Sequence, residues 1–463
     1  MDVLVSKKRW LIISIMFFAN MTNSIQWLQY SIVPEIYTEF YQKSYNAISA
    51  TSLLGSLSMI IMIIPVTFLV ELKSTRFVLL LGTVFSFTGA FVKCFAVSPD
   101  RYWVLMFGQA LAEINVPIVL AIPPKIAANW FPNHELAQAV AISVFGDQLG
   151  IALSYLVPFV IKGPVNSLGI DYENNWSNTS EYGENATLAI DEVSKQIYAV
   201  SIFTASISFL SLLFVFFMFK DKPKNPPSNS ESKRRAESAK SKNARKVYFS
   251  DLKKLLTSKN AIFYLLSCGL HVGVYSGLFT LLNQIIQPFF VENKDSEIGM
   301  MGFSAIIVGI IGSYLCGFAL DKTKKFKIIS SITIFSSLIS ISLLTGFLHF
   351  SNLIVIFILV GLNGFAMTSQ FTVAYDFMAE LTFPVSESSM SAVLNLSYGI
   401  FGFLITQFTQ MAIERNEKPY NGLYLLIGTE ALSMLLNFFT KEALHRQEAD
   451  QEINEDWKQT SQF

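Results

Sequence analysis

Charge is scarce in this sequence: Asp, Glu, Lys and Arg make up 15% of 463 residues, while apolar side chains make up 52%. Soluble globular domains do not carry that balance, so most of the chain is expected in lipid. Cysteine is scarce too. Cys94, Cys268 and Cys316 all fall inside apolar runs, which excludes a disulfide framework and a cysteine-rich metal cluster. There is no HExxH, phosphate loop or serine elbow in a suitable context, so no enzyme, metal or cofactor is expected. Net charge is zero and the basic residues cluster instead of covering a face, so a nucleic-acid partner is not expected either.

What the chain has is apolar length. A membrane helix needs about 20 mainly apolar residues, and six such runs are expected before a polar gap: 9–32, 50–70, 77–97, 102–127, 136–161 and 198–219. The gap, rich in Pro, Ser and Lys, reads as a flexible linker. Six more runs follow: 261–290, 301–320, 328–348, 353–370, 389–411 and 420–440. The organisation expected is an all-α membrane protein of twelve spans: a six-helix bundle over 1–220, a basic linker over 221–260, a second bundle over 261–441 and a tail over 442–463. No small-residue cleavage site follows the first run, which is read as a retained span.

Orientation follows from two signals. Three N-glycosylation sequons, at Asn175, Asn178 and Asn185, lie between spans five and six and mark an extracellular or luminal face. Of the 34 Lys and Arg residues, 26 then fall with the termini and linker, seven opposite, and Lys93 within a span. That bias places both termini in the cytoplasm. The plasma membrane is the first expectation, a lysosomal or other endomembrane the second, and the chain is expected to act as a monomer.

Segment Gly317 to Phe326, "GFALDKTKKF", resembles the short-loop signature of the major facilitator superfamily, with Asp321 and Lys322 as gate residues. A glycine there lets helices approach closely, and an acid near a helix N-terminus is favoured by its dipole. The corresponding place in the first half keeps Glu71, Lys73 and Arg76, as internal repeats would produce.

"QWLQYS", "GAFVKC", "GQALAEINVPIVLAIPPKIAANWF", "DQLG", "TLLNQ", "LDKTKKFK" and "DFMAELTFPVSE" occur in that order across the membrane region. Together they resemble the feline leukaemia virus subgroup C receptor-related family of major facilitator transporters. The resemblance implies small-molecule transport: choline and ethanolamine for some members, with haem export or a vitamin assigned to others. It also implies an aromatic cage from spans one and seven with glutamines from spans four and eleven. Trp27 matches the span-one tryptophan. The span-seven tyrosine falls on Ser276, one residue past Tyr275, and the glutamines fall on Val116 and Gly399, so three of four positions differ from the family's pattern.

The residues themselves leave alternatives open. Asn20, Asn23, Trp27 and Tyr30 share one helix face, which belongs either to a binding site or to an interfacial aromatic belt. His271 is a packing histidine or part of a polar stripe with Tyr275. Glu113, with Asn115 nearby, and Asp147, with Gln148 beside it, either pair with Lys93 or cap a polar network, or else serve as counter-ion for a cationic substrate or as proton sites. Glu430 reads as peripheral. Four functions compete: a facilitator for a small cationic amine, a proton-coupled carrier of a vitamin or other solute, a haem exporter, and a non-transporting receptor. Lipid and a small-molecule substrate are the partners expected.

Overall fold

The computed structural model describes residues 6–132, 135–164, 184–223, 244–415 and 419–444. Asn175 and Asn178 lie outside it, as do the side chains of Glu71, Asn185 and Asp321. Twelve helices are long and apolar enough to cross a membrane: Lys8–Leu28, Tyr45–Val70, Thr75–Lys93, Pro99–Ala121, Gln138–Phe159, Ala186–Met218, Lys259–Thr280, Asp295–Leu320, Phe326–Leu348, Leu353–Thr382, Glu387–Glu414 and Pro419–Phe439. They are spans one to twelve below. Their outer flanks carry bare apolar side chains, with Trp103 and Ile354 each 73% exposed, a surface suited to hydrocarbon and not to water.

Side-chain caps set several helix starts. Ser44, Ser74, Ser258 and Ser386 each accept from the backbone amide three residues on, and Asn352 accepts from Ile354 and Val355. Successive spans run in opposite directions, so residues 6, 223, 244 and 444 fall on one face, called the terminal face. The turns near residues 29–44, 160–164, 290–294, 349–352 and 415 fall on the far face. Spans one to six pack chiefly among themselves, as do seven to twelve. Two seams join the halves, span two along span eleven and span five along span eight.

Three expectations change. Span six begins well before residue 198, in a helix running Glu184–Met218, because "ATLAIDEVSKQIYA" keeps a buried face at Ala186, Ala189, Val193 and Ile197 despite its charges. Part of the expected linker is a helix, Ala244–Thr257, whose Leu252 and Leu255 are buried against the second half. Span four is broken instead of continuous. Pro117 has no N–H to offer the Glu113 carbonyl four residues back, and Pro123 opens a further short helix over Pro123–Trp130.

Candidate functional site

Glu113, Asp147 and Glu430 are acids that the sequence puts deep in the spans, where an ionised carboxylate requires compensation. Glu113 ends the first piece of span four, and its Oε1 accepts from Gln109 Nε2 at 2.7 Å. Gln109 Oε1 in turn accepts from Lys93 Nζ at 2.9 Å, and Gln109 Nε2 also donates to the Gln26 carbonyl at 2.8 Å. Lys93 and Glu113 are each 1% exposed, so this pair is balanced inside the first half.

Glu430 is fully buried and not peripheral. Its Oε1 lies 2.7 Å from His271 Nδ1, while His271 Nε2 faces the Met367 carbonyl at 3.4 Å. The polar group sharing its surroundings comes from span seven, which no face of span twelve alone reveals.

Asp147 has no such partner. Gly146 and Gly150 lie against the backbone of Phe17 and Met21, where a side chain has no room, so span five sits close on span one. Asp147 then accepts from Ser24 Oγ on Oδ1 and from Gln148 Nε2 on Oδ2, the latter at 3.3 Å. Among the described residues no Lys, Arg or His is paired with it.

Next to Asp147, Gln148 meets a chain of rings from the second half. Tyr275 donates to Gln148 Oε1 at 3.4 Å and stands edge to face with Phe371, ring centres 5.4 Å apart. Phe371 meets Tyr398 at 5.7 Å, and Tyr398 meets Tyr375 at 6.4 Å, both nearly perpendicular. Asp147 is close enough for its charge to act on the Tyr275 and Tyr375 hydroxyls. Tyr375 donates to Asn395 Oδ1 at 3.1 Å, whereas the buried Tyr398 hydroxyl has no hydrogen-bond partner among the described residues. Trp27 lies on the first-half side, against span two. Its Nε1 donates to the Ser52 carbonyl at 3.0 Å, and its ring packs against the apolar cluster that contains Leu278 and Leu282 of the span-seven region. A carboxylate without a described cation, with the aromatic side chains of Tyr275 and Tyr375 nearby, is an environment that favours a positively charged guest.

The family model described as Major Facilitator Superfamily matches residues 11–406. The chain belongs to the major facilitator superfamily. Within it, the chain is 31% identical over 446 residues to the choline/ethanolamine transporter flvcr2a of Danio rerio, covering 96% of this chain and 89% of that one. It is 30% identical to the choline/ethanolamine transporter FLVCR1 of Felis catus, covering 95% and 74%. It is therefore a member of the feline leukaemia virus subgroup C receptor-related family and a multi-pass membrane transporter. Among solved structures, a D-xylose-proton symporter superposes with a TM-score of 0.67 at 12% identity, covering 94% of this chain and 98% of that one. A bacterial homologue of the human lysosomal transporter Spinster, inward-facing and unoccupied, gives 0.65 at 14%, covering 95% and 99%.

The superfamily fold separates the residues that the sequence grouped. Trp27, Asp147, Gln148 and Tyr275 converge on the interface between halves, and Asn23 is buried one turn before Trp27. Tyr30 does not join them, because the span-one helix ends at Leu28 and the periodicity stops there. Its ring lies 5.0 Å from Tyr37 and 5.6 Å from Lys93 Nζ, inside an aromatic cluster of the first half. Asn115 turns toward Gly82 of span three, and Val116 packs in the first-half core. Ser276 is buried facing Gly402 of span eleven. Gly399 lies on the seam, where a Cβ would come within 3.0 Å of Met59 and 3.2 Å of the Ser56 carbonyl, so a longer side chain there displaces span two.

Phe371, Tyr375 and Tyr398 escaped sequence reasoning. Their only signal was a four-residue spacing of two rings on span ten beside one ring on span eleven.

Gly317 to Thr323 of the gate segment are the last two turns of the helix Asp295–Thr323, and only Lys324, left-handed, and Lys325 connect it to the next helix, which begins at Phe326. A Cβ on Gly317 would meet only Thr372 Cγ2, at 3.6 Å, an ordinary contact, so close helix approach is not what that glycine provides. Lys322 is exposed. Arg76 donates from Nη2 to the Phe216 carbonyl, and its backbone amide donates to Asp221, tying spans three and six.

Hydrogen bonds join the halves at the far face. Ser49 donates to Gln410 Oε1 at 3.0 Å, Gln284 Nε2 to Ser49 Oγ at 3.2 Å and Gln407 Nε2 to Asn46 Oδ1 at 3.2 Å. The Asn46 amide reaches Glu414 at 2.8 Å, and Tyr155 donates to the Phe279 carbonyl. The far end of the seam is closed.

Proposed function

We propose that this transporter carries a small organic cation of the choline and ethanolamine class by facilitated diffusion through alternating access. The observation that carries the reading is Asp147, whose charge no described cation balances and whose neighbour Gln148 accepts from Tyr275, the first ring of a chain that continues through Phe371, Tyr398 and Tyr375. The names of its relatives, choline/ethanolamine transporters, support the same class.

Asp147 supplies the counter-charge and the rings supply cation–π attraction, about 0.5 to 2 kcal/mol per favourable desolvated face. Trp27 covers the guest from the first half, and the free Tyr398 hydroxyl is available to a polar tail. With the far face closed by its polar contacts, exchange takes place at the terminal face. Rocking of the halves about the two seams then opens the far side.

The terminal face is cytoplasmic in this reading, in keeping with its Lys and Arg excess, and the far face with its sequons is extracellular or luminal. Asp321 and Glu71, with Lys322 and Arg76 nearby, latch the terminal face when the far side opens. The plasma membrane is the first site of action.

A second reading rests on the same acid: an unbalanced carboxylate also takes a proton, which would make the carrier proton-coupled. The deciding experiment is uptake of labelled ethanolamine, choline and a panel of vitamins into proteoliposomes, with and without a pH gradient. Saturable amine uptake indifferent to the gradient supports the first reading. Uptake that collapses without the gradient supports the second, and no amine uptake at all overturns the first.

A further inference from the structure

We infer that Asp147 tunes the site toward primary ammonium groups and against quaternary ones, an inference that rests on the cationic-amine reading above. An ionised carboxylate offers about four acceptor positions. Ser24 fills one on Oδ1 and Gln148 Nε2 one on Oδ2, which leaves two without a donor among the described residues. The neighbouring acceptor, Gln148 Oε1, is already taken by the Tyr275 hydroxyl.

The two kinds of cation meet this surface differently. A primary ammonium carries three N–H donors that lose water on entry, and a buried donor without an acceptor is costly. Aromatic faces attract its charge but do not accept those hydrogens as an oxygen does. The open positions on Asp147 do, in charge-assisted hydrogen bonds about twice as strong as neutral ones.

A quaternary ammonium has no N–H. Its charge is spread over methyl groups that rings accommodate well, yet it displaces water from Asp147 and gives no hydrogen bond in return. Attraction between the charges remains, but the oxygens lose their donors. Each N-methylation therefore removes one donor and weakens what Asp147 contributes. In a site with an amide in place of this acid, the rings alone set the preference, and the order flattens or reverses.

The test is competition binding on purified protein with ethanolamine, its N-methyl and N,N-dimethyl derivatives, and choline. Wild-type affinity is expected to fall along the series, by about tenfold or more from first to last, since roughly 1.4 kcal/mol is a factor of ten. This arm needs no variant to fold. Asp147→Asn, normalised for folded fraction, is expected to weaken both amines, because the counter-charge is lost, but to weaken ethanolamine by about tenfold more than choline, so that the slope along the series flattens. Choline binding as tightly as ethanolamine to wild type, or the same slope in Asp147→Asn, overturns the inference and leaves the cationic-amine reading standing. If none of the four amines binds, that reading falls and the inference falls with it.

Discussion

Lys93 and Glu113 are linked through one amide: Gln109 accepts from the lysine at 2.9 Å and donates to the glutamate at 2.7 Å. All three side chains are buried. The link balances Glu113 within the first half and separates it in role from Asp147.

Removing one charge of a buried pair leaves the other uncompensated, at about 3 to 5 kcal/mol. Lys93→Met is accordingly expected to lower the melting temperature and folded yield sharply, and Glu113→Gln to do so as well. The double variant Lys93→Met with Glu113→Gln should recover much of the loss, because no unpaired charge remains. Thermal unfolding in detergent followed by fluorescence reads all three. A double variant no more stable than either single one contradicts the pairing.

Trp27 lies against Ser52 and Gly55 of span two and packs on the apolar cluster shared by the two halves, so its loss is expected to act on the guest. Trp27→Ala should weaken amine binding by about tenfold, with Trp27→Phe intermediate because a benzene ring keeps a weaker face of the same kind. An interfacial anchor would instead lower membrane yield in both variants and leave the affinity of purified protein unchanged.

Gly302 lies directly against the Tyr155 ring where spans five and eight meet near the far face. Leucine there has no space while that contact is closed. Gly302→Leu is expected to hold the far face open, cutting transport by tenfold or more. A cysteine at Ser49, buried under the closed contact, should then react faster with a maleimide in a background lacking the three native cysteines. Normal transport together with unchanged labelling of the residue-49 cysteine contradicts this picture of the gate.

The twelve spans were legible because membrane crossing depends on composition over about 20 residues, which sequence displays directly. Which faces meet was only partly legible. The stripe through Asn20, Asn23 and Trp27 points inward as its amides suggest, but Tyr30 leaves it where the helix stops at Leu28. Glu430 looked isolated because its partner, His271, is 159 residues away. Asp147 stood out as an acid in lipid. Its lack of a cation became visible only once Lys93 and His271 were seen to be engaged elsewhere. The rings of Phe371, Tyr375 and Tyr398 carried no distinguishing pattern, since aromatic residues are common in every span. Helix Ala244–Thr257 was hidden by its basic residues, which obscure the two leucines that dock it.

The central claim is that an organic cation crosses alone, with Asp147 as its counter-charge throughout the cycle. The most direct measurement is labelled ethanolamine uptake into proteoliposomes under an imposed potassium-diffusion potential, beside a pH gradient without potential. One positive charge per cycle corresponds to about 2.3 kcal/mol per 100 mV, or roughly 50-fold accumulation at an inside-negative 100 mV. The account predicts accumulation driven by potential, none driven by the pH gradient alone, and loss of ethanolamine uptake in Asp147→Asn. Uptake driven by the pH gradient and indifferent to potential would contradict it and make Asp147 a proton site.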